Sequence, residues 1–69
     1  MNTELKLMLL SARIEYHWKS ALSCRKRGNR LIERGESLSS DAIVRLSQRI
    51  DSHNCAIHRL QSEYKGLSA

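Results

Sequence analysis

Between Ile43 and Leu67 the side chains that avoid water recur alternately three and four residues apart. Ile43, Leu46, Ile50, Ile57, Leu60, Tyr64 and Leu67 hold the series, and His53 is its one polar member. A repeat averaging about 3.5 residues draws a narrow stripe down one side of an α-helix, and such a stripe is stable only when a second helix covers it. An earlier stretch repeats the pattern. Leu7, Ile14, Ala21 and Gly28 share one heptad position and Leu10, His17, Cys24 and Leu31 the other, with Trp18 and Ile32 beside them. This first stripe is bulky at its start and small towards its end.

Breaks in the pattern bound the two segments. Asn2 or Thr3 suits the cap of a first helix, and Glu4 falls in its first turn, where a negative charge meets the positive end of the helix dipole. Gly35-Glu36-Ser37-Leu38-Ser39-Ser40 is the one stretch rich in turn formers: Gly35 suits a left-handed terminus, Ser39 or Ser40 suits the next cap, and Asp41 follows in the first turn. Proline is absent. The predicted elements are a helix over about 3–34, a loop over about 35–40 and a helix over about 41–65, with Gly66 as its stop and Leu67 folding back. A connection this short lays neighbouring helices side by side in opposite directions. The expected fold is therefore all-α, a single domain spanning 1–69 built as an antiparallel hairpin of two long helices.

In such a hairpin, facing residues have numbers that add up to about 73. Ala21 and Cys24 then lie near Ile50 and His53, and Gly28 near Leu46, so small residues on one helix meet large ones on the other. The expected seam comprises Leu7, Leu10, Ile14, His17, Ala21 and Cys24 on the first helix. On the second it comprises Ile43, Leu46, Ile50, His53, Ile57, Leu60 and Tyr64.

Composition makes a second copy of the chain attractive. A domain of 69 residues hides only about 60% of the surface its unfolded chain exposes. With one Trp, two Tyr and no Phe, there is little to fill a thick core. Two cysteines offer at most one bridge, and Cys24 and Cys55 are not level in the hairpin, so association is the expected source of added stability. Leu5, Met8, Leu9, Ala12, Tyr16 and Leu22 fall outside the seam and, with Trp18, form the candidate dimer interface. Two hairpins joined this way make a four-helix bundle or coiled-coil assembly. The format resembles the plasmid-encoded hairpin dimers of the Rop type, which pair two hairpins and regulate RNA. That resemblance, one of format, implies a homodimeric regulatory protein. Compact, basic helical proteins are also common products of phages and plasmids. Two other arrangements use the same residues: a parallel two-stranded coil between chains, and a groove over Leu9, Trp18 and Leu22 for a partner helix.

Charge is concentrated near the turn. The chain has 12 Lys and Arg against 7 Asp and Glu, a net charge of +5. Arg25, Lys26, Arg27, Arg30 and Arg34 outnumber the single Glu33 beside them, and the hairpin brings Arg45 and Arg49 to the same end. This basic tip complements the helix dipole, and it is also the candidate site for an acidic protein or for nucleic-acid phosphates. No aromatic residue is interleaved with the arginines, which argues against base stacking.

The candidate chemistry is sparse. His53, Cys55 and His58 lie within six residues, but His53 faces the seam and a fourth ligand is missing, so no metal is expected. His17 and His53, both at seam positions, are expected to loosen the structure when protonated. Cys24 reads as a small seam filler and Cys55 as exposed. The acidic residues form no pair beyond helix-surface contacts such as Glu15 with Lys19 and Asp41 with Arg45. A glycine-rich phosphate loop and a Cys–His nucleophile are likewise missing, so neither an enzyme, a cofactor nor a small-molecule substrate is expected. The N-terminus does not read as a signal peptide, and Leu7–Leu10 is too short a run to span a membrane. The expected protein is a cytoplasmic, non-enzymatic regulator or adaptor, acting as a helical homodimer on an unidentified protein. The alternative is a nucleic-acid binder that uses the basic tip.

Overall fold

The computed structural model describes residues 2–69, and two helices account for nearly all of them: α1 (Thr3–Glu33) and α2 (Asp41–Ser68). Each starts at a side-chain cap. The Asn2 carboxamide oxygen accepts from the Glu4 N–H at 2.9 Å, and the Ser40 hydroxyl accepts from the Ile43 N–H at 3.3 Å. Both satisfy donors that have no partner within the helix. α1 ends in the six-residue closure that glycine permits. Gly35 takes φ +94°, its N–H donates to the Ile32 carbonyl at 2.9 Å, and the Glu36 N–H donates to the Leu31 carbonyl at 2.9 Å. Ser37 organises the rest of the turn, accepting from the Ser39 N–H and, through its carbonyl, from the Ser40 N–H.

α1 and α2 pack along their length as an antiparallel hairpin 50 Å long and only 15 × 14 Å across. Its radius of gyration is 15.5 Å, against about 11 Å for a compact domain of this length. The hairpin is therefore a rod with a one-layer core. Leu10 and Ala21 of α1 and Ile43, Leu46 and Leu60 of α2 are its buried members. Leu7, Ile14, His17, Cys24, Gly28 and Leu31 are half-buried, as are Ile50, His53 and Ile57. Facing residue numbers add up to 70 at the His17–His53 contact and to 74 at Gly28–Leu46, on either side of the predicted 73.

Three local expectations fail at α2. Gly66 does not stop the helix, which continues to Ser68 and closes with the Ala69 N–H on the Lys65 carbonyl at 3.1 Å. Leu67 therefore stays in the helix instead of folding back, and it shares a hollow with Leu9 and Leu10 of α1. The apolar stripe continues past Gly66, and a single glycine costs about 1 kcal/mol, too little to end a packed helix. Tyr64, at its seam position, shares a hollow with Ser11 and Ile14 at the open end and is 37% exposed. Of the two expected surface ion pairs, Lys19–Glu15 forms at 3.0 Å. Asp41 and Arg45 do not pair, and Lys19–Glu15 is the one ion pair among the described residues.

Candidate interaction surfaces

Packing at seam positions leaves each helix with two flanking rows, and contacts across the hairpin show which rows face each other. Arg13 and Glu63 line one hollow. On the opposite side, Ser11 meets Gln61, and Trp18 shares a hollow with Asn54. The first flank thus carries the α1 heptad row Arg13, Ser20, Arg27 and Arg34 against the α2 row Arg49, Ala56 and Glu63. The second carries Ser11, Trp18, Arg25 and Ile32 against Ser47, Asn54 and Gln61. One flank is cationic and the other nearly uncharged.

The basic tip is accordingly one-sided. At 100° per residue, Arg30 and Arg45 sit just behind the first flank, and Arg45 lines a hollow with Arg49, Ser52 and His53. Arg25 stands apart on the second flank with Ile32, Leu38 and Ser47. Lys26 lies on the outer face of α1, away from α2. All of these cations are exposed, and none has a carboxylate within ion-pair distance among the described residues.

The exposed apolar residues of α1 divide as well. Leu5, Met8, Ala12 and Leu22 point away from α2, with Leu9 at the edge of this group towards Lys6 and Arg13. Met8 is 68% exposed and Trp18 58%. Tyr16 and Trp18, two residues apart, project about 160° from each other. The Tyr16 ring leans the other way from Trp18 and packs edge-on against His17 and His53, at centroid separations of 5.2 and 6.3 Å. The outward positions of α2 are mostly polar, among them Gln48, Asp51, Ser52, Arg59 and Ser62, and Val44 is the large apolar residue exposed there. α1 therefore carries most of the outward apolar residues, with the Glu15–Lys19 pair lying between Ala12 and Leu22.

At the middle of the seam, His17 Nδ1 and His53 Nδ1 are 2.8 Å apart and their ring centroids 5.1 Å. A separation about one ring's width greater than the N···N distance means that the two nitrogens point straight at each other. This is the alignment of an N–H···N hydrogen bond, in which one ring donates and the other accepts. It was not foreseen from periodicity, although both residues are seam members. Cys24 is half-buried and Cys55 exposed, and both are free thiols. No group of three or more His, Cys, Asp or Glu side chains is arranged to hold a metal ion among the described residues. In the same residues, no helix is long and apolar enough to cross a membrane.

No protein-family model, no curated protein and no solved structure matches the chain. Its functional reading rests on the two flanks and on the outer face of α1.

Proposed function

We propose that this is a small, non-enzymatic regulatory or adaptor protein that works as a helical homodimer and acts by binding another macromolecule, in the first place a protein. The supporting observation is the set of exposed apolar side chains on the outer face of α1, against the mostly polar outer face of α2. Leu5, Met8 and Ala12, then Leu22 with Trp18 beside it beyond the Glu15–Lys19 pair, form a second stripe on a helix whose first stripe is already used in the hairpin. A stripe of this kind on a rod with five buried side chains gains stability by being covered. Two copies that bring their α1 helices together give four helices around a thicker core, and Ala12 at the middle of the contact allows close approach. Trp18 and Leu22 border the contact and are suited to hold a partner helix in the adjoining groove, since aromatic anchors dominate such interfaces. The test is the solution mass of the wild type and of Met8→Lys/Leu22→Lys, two exposed positions whose substitution leaves the seam intact.

A further inference from the structure

Seven of the chain's eight arginines gather on one side of the hairpin. Along the first flank and the positions just behind it, α1 presents Arg13, Arg27, Arg30 and Arg34, and α2 presents Arg45, Arg49 and Arg59. Lys6 precedes Arg13 in the same row, while Lys19 and Lys26 lie on the outer face of α1. Between the arginines stand the hydroxyls of Ser20, Ser23 and Ser52, and carboxylates are absent until Glu63 at the open end. The one ion pair among the described residues, Lys19–Glu15, is elsewhere, so intramolecular pairs leave these guanidinium groups unused.

Residues 13 and 34 on a straight helix are separated by about 30 Å. The arginine row thus runs along a narrow rod 50 Å long and extends for nearly one turn of a nucleic-acid duplex, about 34–36 Å. Guanidinium groups bind phosphate oxygens in a fixed fork, and serine hydroxyls commonly add neutral contacts to the same oxygens. Tyr16 is the single aromatic side chain on this side, and its ring is engaged by the two histidines. A flexible single strand is held mainly by stacking on several aromatic rings. A row fixed on two helices and without free stacking platforms suits a ligand whose bases are already stacked.

We infer that the arginine flank is a docking surface for the phosphate backbone of double-stranded nucleic acid, bound without reading base sequence. The flank is complete in one copy of the chain, so this inference stands independently of the homodimer. Displacement of condensed counterions should make binding strongly salt-dependent, with about one unit of slope in log K against log [salt] for each phosphate contacted.

The test measures binding of the full-length protein to duplex DNA and duplex RNA of about 20 base pairs, roughly two turns, with the matching single strands as further arms. Salt is varied between about 50 and 200 mM. Wild type is expected to bind at least one duplex more tightly than either single strand. Arg27→Ala/Arg45→Ala/Arg49→Ala should weaken that binding at least 10-fold and lower the salt slope by about three units. Arg25→Ala, a cation of the opposite flank, should change the affinity by less than twofold. Circular dichroism confirms that each variant keeps its helix content. The inference is overturned by a lack of duplex binding at low salt, or by single strands binding as tightly as duplex. Equal losses from Arg25→Ala and Arg27→Ala would also overturn it, because binding would then follow net charge alone. Preference between DNA and RNA identifies which duplex the flank meets.

Discussion

His17 of α1 and His53 of α2 share a hydrogen bond between their Nδ1 atoms at 2.8 Å, across the middle of the hairpin seam. Neutral rings satisfy it only in unlike tautomers, one with Nδ1–H and one with a bare Nδ1. Tyr16 packs edge-on against both rings and holds them in the seam. Removing one ring leaves its partner's nitrogen without this bond, so His17→Leu and His53→Leu should each cost about 1 kcal/mol, and the double variant should cost less than the two together. Urea unfolding of the three variants measures the coupling, and strictly additive losses would contradict the pairing.

The glycines separate conformational need from packing need. Gly35 at φ +94° closes α1, so Gly35→Ala should cost about 1 kcal/mol or more. Gly28 is helical, and a methyl group there would meet Leu46 Cδ1 at 3.8 Å, an ordinary contact. Gly28→Ala should stabilise by about 0.5–1 kcal/mol, and Gly66→Ala, which meets nothing within 4 Å, should act in the same direction. Urea unfolding of the three variants checks both signs.

Ser40 holds the start of α2 through the Ile43 N–H. Ser40→Ala should cost about 1 kcal/mol by the same assay, and Ser40→Asp should restore most of it. Loss of the cap without loss of stability would show that α2 is begun by tertiary packing alone.

The two thiols report the seam. Exposed Cys55 should react with an aromatic disulfide reagent within the mixing of the native protein, while half-buried Cys24 reacts more slowly and accelerates in urea. Equal native rates would place Cys24 outside the seam.

Much of this architecture was legible in the chain because a 3.5-residue repeat specifies which side of a helix is covered. The half-buried and buried positions of α1, from Leu7 to Leu31, are the two heptad rows and one added serine, Ser20. The turn was legible for the same local reason, since Gly35 and Ser40 have backbone roles that few residues fill. The end of α2 was not, because Gly66 looks like a stop only if the helix has nothing left to pack, and Leu67 does. The histidine contact was hidden because it depends on register: a shift of one turn would separate the rings while leaving every apolar residue in the seam. The one-sidedness of the arginines needs both helices placed together. Viewed along the chain, Arg25, Lys26 and Arg27 form a single basic cluster, although consecutive helical residues point about 100° apart.

The homodimer through the outer face of α1 is tested most directly by sedimentation equilibrium over a dilution series. Wild type should show twice the 7.9 kDa chain mass at high concentration and fall towards the single chain on dilution. Met8→Lys/Leu22→Lys should remain at the single-chain mass with its helix content retained, and Gln48→Lys on the polar face of α2 should behave as wild type. A wild type that is monomeric throughout, or a Met8→Lys/Leu22→Lys protein that still dimerises, would contradict the assignment of that face.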